Sequence, residues 1–231
     1  MPQIFDIDYN DRVDLVGTAH FTRRSINDAY QAIKSLKPHD VAFELDWRRF
    51  QSLNTACLNC PRSESCEGLC EFTGAAEALG NVDANLWLID MTEKEMQRRV
   101  RKQITPFEKS HVGIRVQRRM DKNPIWLWEQ GFKEKVINNS KKELQALRRL
   151  LPSVYRVLID ERNALMAARL AWTISRRMEE ENEPRILTFV GAAHVEGIQE
   201  LLAKPSQIKE QLKKLNLSFS EPTLVRRVAV N

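Results

Sequence analysis

Apolar positions recur along this chain in two alternating rhythms. Residues 3–8 and 12–17, Val41-Ala42-Phe43-Glu44-Leu45, Leu86-Trp87-Leu88-Ile89-Asp90 and Arg185-Ile186-Leu187-Thr188-Phe189-Val190 are short runs of the length of buried strands. Between them the spacing turns helical. One helix is predicted from Ser25 to about Leu36, where Pro38-His39-Asp40 breaks it, and another from Asp46 to Leu53. A short helix precedes the Leu86 strand, and Thr92 with Glu95 forms a capping-box pattern for the helix after it. From about 105 to 181 the signal is almost entirely helical, with Pro124 and Pro152 as punctuation, Pro152 suiting a first helical turn. A last helix is predicted from about His194, and Pro222 to Val230 as an edge strand. The alternation predicts an α/β fold: a mixed central sheet with parallel pairs, helical crossovers and a long helical middle section. No Gly/Ser linker divides it, so residues 1–231 read as a single domain.

Composition narrows the class. With 42% hydrophobic and 29% charged residues the chain is ordinary globular protein. No window approaches the roughly 18 uninterrupted apolar residues of a membrane span. The acidic start, MPQIFDIDYNDRVD, lacks the layout of a signal peptide, and a cytoplasmic setting without membrane partners is expected. The net charge is +5, with Arg pairs such as Arg98–Arg99, Arg148–Arg149 and Arg176–Arg177. Acidic residues are interspersed among them, which favours solvated helix faces over a nucleic-acid footprint. Trp126 and Trp128 would cover a cleft or form a homo-oligomer face; the sequence leaves both open.

One internal echo carries chemistry. Val13-Asp14-Leu15-Val16-Gly17-Thr18-Ala19-His20 parallels Leu187-Thr188-Phe189-Val190-Gly191-Ala192-Ala193-His194: an apolar strand, a glycine, two small residues and a histidine. Gly17 and Gly191 would leave the backbone open to a ligand, at strand ends where open α/β sheets bind theirs. His20 and His194 would converge there on one ion or substrate, or else merely cap helices. Glu44 and Asp46 end the strand Val41–Leu45 and Asp90 ends Leu86–Ile89; they are candidates for metal ligation or acid–base work, with helix capping as the alternative. Glu161 falls on the stripe Val154, Leu158, Leu165, Ala168, Trp172, where a carboxylate needs a cation, and Arg162 lies one position round.

Gly17-Thr18-Ala19-His20, Glu44-Leu45-x-x-x-Arg49-Phe50-x-x-Leu53, Asp160-Glu161-Arg162 with Met166-Ala167, and Val190-Gly191-Ala192-Ala193-His194-Val195-x-Gly197-Ile198 together resemble the TraB/PrgY family. That family is related to the TIKI proteases and, more remotely, to the erythromycin esterase/ChaN-like fold. The resemblance spans residues 12–202 and implies a site containing His20, Glu44, Arg49, Glu161, Arg162 and His194. It also implies metal-dependent hydrolysis of a peptide or small ligand, with a divalent ion such as Mn held by the histidines and a carboxylate. Glu44 or Glu161 would take the proton, and Arg49 or Arg162 would stabilise the oxyanion. A non-catalytic, ligand-sequestering role and a nucleic-acid-binding role are the alternatives. Asp46 stands where many relatives have Cys, Asn163 where an acid is common, and the C-terminal membrane helices of many members are not found.

All four cysteines fall in Cys57-x-x-Cys60-x5-Cys66-x3-Cys70. Clustered thiols in an intracellular protein read as a metal site more readily than as disulfides. The run resembles the cysteine run of SPASM-type modules, which implies a [4Fe–4S] cluster, with zinc as the alternative. Residues 57–70 then form an inserted metal-binding loop.

Overall fold

The structure, a computed structural model, describes residues 9–20, 22–59, 71–80, 84–110, 123–180 and 183–225. A single 3-10 turn, Asn10–Arg12, leads into β1 (Val13–Thr18), followed by α1 (Arg23–Leu36), β2 (Asp40–Phe43), α2 (Trp47–Asn59) and α3 (Glu71–Leu79). Then come β3 (Asn85–Leu88), α4 (Glu93–Gln103), a short helix α5 (106–110), α6 (Asn123–Glu129) and α7 (Lys133–Leu150). Next are α8 (Pro152–Tyr155), a π-helical segment (Arg156–Glu161) and α9 (Arg162–Arg177). The described chain ends with β4 (Ile186–Gly191), α10 (Ala192–Ala203), α11 (Pro205–Lys214) and β5 (Thr223–Val225).

The predicted α/β class is found. The described strands form one sheet in the order β1-β4-β2-β3-β5, parallel except for β5, which pairs antiparallel with β3. β5 is the expected edge strand over the part of it that is described, while the expected strand at residues 3–8 lies outside the described residues. The central strands β2 and β4 are buried at every position and the edges are not, as a sheet covered on both faces requires. Side-chain alternation sends Ile186 and Val190 of β4 to one face, against α9, α10 and α11, and Leu187 and Phe189 to the other, against α1 and α3.

Local chemistry sets the element ends. Thr22 caps α1 through Ser25 N–H, Thr92 caps α4 through Glu95 N–H, and Pro152 occupies the first turn of α8, as its fixed φ and missing N–H favour. α2 runs six residues past the predicted end. β2 is shorter than predicted, because Glu44 N–H donates to the Phe189 carbonyl while Leu45 N–H folds back to that of Phe43. Glu44 is thereby left at the strand tip. No helix among the described residues is long and apolar enough to cross a membrane.

At the amino edge of the sheet, buried Asp40 accepts from Arg177 Nε at 2.8 Å, Trp87 Nε1 at 2.7 Å and Asn85 Nδ2 at 3.2 Å. This carboxylate ties β2 to β3 and to the end of α9. Asp40→Ala removes the acceptor of a buried indole N–H and one of the two carboxylates that hold Arg177, and should cost about 1–3 kcal/mol of stability. Urea unfolding followed by tryptophan fluorescence measures it, and a loss below about 1 kcal/mol, the scale of a surface ion pair, would show that this cluster is not structural.

Candidate functional site

β1 and β4 are adjacent and parallel, with Gly17 opposite Val190 and Thr18 opposite Gly191. The two Gly-x-x-His segments therefore leave the same edge of the sheet side by side. β2 and β3, the next two strands, end in Glu44 and Asp90. Four neighbouring strands thus deliver His20, His194, Glu44 and Asp90 to one place, the carboxyl edge, where sheets of this kind bind ligands.

Glu44 is the hub. It is 6% exposed, and its Oε2 accepts the Gly191 N–H at 2.6 Å while its Oε1 is bound by Arg162 Nη2. His20 Nε2 stands 3.8 Å from Oε2 and His194 Nε2 3.5 Å from Oε1. Gly191 adopts an ordinary φ of −55°, so its contribution is space. A Cβ there would lie 3.0 Å from His20 Nε2 and 3.3 Å from Glu44 Oε2.

The two histidines are held differently. His194 is buried, and its Nδ1 sits 2.6 Å from Asn163 Oδ1, an atom that can only accept; Nδ1 therefore carries the proton. Gly197, one turn further along α10, makes room for that amide, since a Cβ there would come 2.3 Å from Asn163 Nδ2. Burial disfavours the imidazolium and holds His194 below its ordinary value, against the pull of Glu44. Its Nε2 consequently presents a lone pair toward the Glu44 carboxylate, an approach that is favourable only with a proton, a water or a cation between them. His20 is partly exposed, with 38% of its side chain accessible, at the mouth of a cleft of about 460 Å³. Phe43, Leu45, Leu53 and Phe72 supply the apolar wall of that cleft, and Arg48 and Arg49 its positive rim.

Behind Glu44 lies a charge network. Arg162 grips Asp90 with both ends of its fork, Nε to Oδ1 at 3.0 Å and Nη2 to Oδ2 at 2.7 Å. Arg49 Nη2 reaches the same Oδ2 at 2.6 Å, while its Nε holds Asp46 Oδ2 at 3.1 Å. Asp46 also caps α2, accepting from Arg48 and Arg49 N–H, and takes the Glu93 N–H. Burial would raise the Asp46 carboxyl, but these donors and Arg49 bring it below its ordinary value.

The expected residues divide. His20, Glu44, Arg49, Arg162 and His194 come together. Glu161 does not: it is fully buried, and its carboxylate is taken by Arg99 Nε at 2.5 Å and Gln103 Nε2 at 2.8 Å, with Arg156 Nε at 3.4 Å. The reason is the π-helical segment, whose extra residue rotates the helix so that Arg162 faces the strand ends and Glu161 faces α4. Trp128 is buried and donates from Nε1 to Ser25 Oγ at 3.1 Å, whereas Trp126 is exposed, and neither lines the cleft. Arg48, which lines the cleft, and Asn163 as the partner of His194 were missed from sequence. The acid-to-Asn departure at 163 was the visible signal for the latter. Cys60, Cys66, Cys70 and the Cys57 side chain lie outside the described residues.

The donors suit a divalent ion in kind: two imidazole nitrogens and a carboxylate whose oxygens, each engaged once, keep further lone pairs. Gly191 keeps the space between them open. As they stand, no three His, Cys, Asp or Glu side chains among the described residues are placed to hold a metal ion together.

Burial alone would raise the Asp90 carboxyl, but the guanidiniums of Arg162 and Arg49 overcome it and hold the group at about 2, below the ordinary 3.8. Because the folded value is depressed, the stabilisation is complete above a pH of about 4 and disappears as the pH falls through about 2. Asp90→Asn should lose about 2–3 kcal/mol at neutral pH, since Arg162 and Arg49 each lose one of their two carboxylates. The same variant should flatten the acid limb of the stability curve. Urea unfolding of both proteins from pH 7 to 2 decides it; parallel curves would refute the assignment.

The TraB/PrgY/gumN family profile matches residues 76–210, over half of the chain. The matched stretch contains Asp90, Arg162 and His194, while His20 and Glu44 precede it. A similar protein is the one described as "Uncharacterized protein MJ1365" of Methanocaldococcus jannaschii, 28% identical over 218 residues, covering 82% of this chain and 53% of that protein. The chain thus spans about half the length of the curated relative it matches. With the matched profile and the paired Gly-x-x-His strand ends in place, the chain belongs to the TraB/PrgY/gumN family.

Proposed function

We propose that the cleft is the active site of a metal-dependent hydrolase acting on a peptide or a small acyl ligand. One observation carries this reading: the histidines of two similar turns, on adjacent parallel strands, flank a single buried carboxylate at the edge of an open cleft. His20, His194 and Glu44 would hold the ion, which when bound would acidify a water and polarise the scissile carbonyl. Of the two glutamates expected from sequence, Glu44 borders the cleft and would also accept the water's proton. Arg49 lines the cleft and would steady the developing oxyanion, whereas Arg162, committed to Asp90 and Glu44, is a positioning residue. The apolar wall would take a substrate side chain, and Arg48 a carbonyl or carboxylate on its flank.

The test is peptide turnover followed by mass spectrometry, using protein loaded with manganese and a defined peptide pool. His20→Ala and His194→Ala should each lower kcat/KM by about 100-fold or more, the scale of losing a catalytic group. The double variant, retaining its circular dichroism spectrum, should show none. Full activity in the double variant would remove the proposal.

For the cysteine run we propose a [4Fe–4S] cluster, supported by the concentration of every cysteine of the chain within residues 57–70. Protein purified without oxygen should carry about four iron and four acid-labile sulfide per chain by elemental analysis. About one zinc without sulfide would make the loop a four-thiolate zinc site instead.

A further inference from the structure

On the other side of the Asp90–Glu93 turn from the cleft lies a second cavity of about 660 Å³. Met91 and Thr92 line this cavity and Glu93 lines the cleft, so one turn of chain separates the two. Its walls carry five cations: Arg98, Arg99 and Lys102 from α4, Arg156 from the π-helical segment, and Arg169 from α9. Against them stand two carboxylates, Glu95 on the wall and Glu161 behind it. Glu95 is shared by Arg98 and Arg99, and Glu161 by Arg99 and Arg156. Asp160 also acts on Arg156, so five cations face three carboxylates here. Lys102 has no carboxylate within ion-pair distance among the described residues, and Arg156 Nε is buried without a hydrogen-bond partner there.

Arg169 is the decisive member. It is 8% exposed, and its donors go to the carbonyls of Ile89, Asp90 and Ser220 and to Ser220 Oγ, at 2.5–3.2 Å. Those oxygens satisfy N–H groups without neutralising the charge. The nearest carboxylates, Asp90 and Asp46, act only at a distance and are already paired with Arg162 and Arg49. Burial accordingly holds this guanidinium below its ordinary value. A buried cation facing a cavity rimmed by four more is stabilised by a counter-charge in that cavity, and guanidinium forks match the oxygen pairs of phosphate and carboxylate.

We infer that this cavity binds a small polyanion bearing phosphate or carboxylate groups, at a site distinct from the cleft. The inference does not depend on whether the cleft hydrolyses anything.

Calorimetric titration of the full chain at low salt with pyrophosphate, and separately with citrate, tests it. At least one of the two should bind with a stoichiometry near one, and which binds tighter distinguishes a phosphate from a carboxylate source. Arg98→Glu and Lys102→Glu, both at exposed positions, should each weaken that binding by about tenfold or more, a change of about 1.4 kcal/mol. Lys34→Glu makes the same charge change on α1, which does not line the cavity, and should shift the constant by less than about twofold, as screened distant charges do. Absence of binding by both anions would overturn the inference, as would equal weakening in Lys34→Glu. So would a single-stranded oligonucleotide that binds and is not displaced by either anion.

Discussion

Everything at the carboxyl edge of this sheet depends on one guanidinium. Parallel strands bring Glu44 and Asp90 to neighbouring positions at 6% and 2% exposure, and with Asp46 they concentrate three negative charges where water cannot screen them. In such surroundings like charges a few ångströms apart repel strongly, and proteins respond by protonation or by supplying cations. Here Arg162 supplies the cation. It binds Asp90 with two donors and Glu44 with a third contact, which keeps Asp90 ionised and ties the two carboxylates to one cation. Arg49 completes the arrangement from the cleft side. Without Arg162, Glu44 would keep only its bond from the Gly191 N–H to orient it toward the histidines.

That dependence explains why a π-helical turn persists at Arg156–Glu161. Such turns leave helix bonding imperfect and are kept where a side chain must be re-aimed. Arg162 Nη1 also donates back to the Leu158 carbonyl at 3.3 Å, partly making good the disturbed ladder. The same rotation carries Glu161 to α4, where it holds Arg99 and so shapes the wall of the basic cavity. One local irregularity thus orients one residue toward each of the two cavities, on opposite sides of the Asp90–Glu93 turn.

The strand pattern and the paired Gly-x-x-His turns were legible because strand burial and chain echo are one-dimensional signals. A run such as Ile186–Val190 needs no partner to be seen, whereas the side-by-side pairing of β1 with β4 is visible only in the fold. The assignment of Glu161 to the cleft failed for a definite reason: the stripe Val154, Leu158, Glu161, Leu165 assumes 3.6 residues per turn, and the π-helical segment breaks that period. Arg169 lay in plain view as a lone cation in Met166-Ala167-Ala168-Arg169-Leu170-Ala171. Its meaning needed the fold, because only there does it gain a cavity and lack a carboxylate. Asp90 read equally well as a helix cap, since the two arginines that claim it come from 41 and 72 residues away.

The two edges of the sheet engage their carboxylates differently. At the amino edge, Asp40 meets Arg177, Trp87 and Asn85, three donors directed at one carboxylate, and the cluster is closed. At the carboxyl edge, Glu44 receives one backbone N–H and one guanidinium, and the groups that approach its remaining lone pairs are imidazole nitrogens. His194 is the rigid one, its tautomer set by Asn163 and its ring seated beside Gly197; His20 is at the surface, where a ligand can reach it. A saturated carboxylate is a structural tie. Glu44 instead keeps acceptor capacity beside the cleft, where a solvent molecule or ligand can reach it.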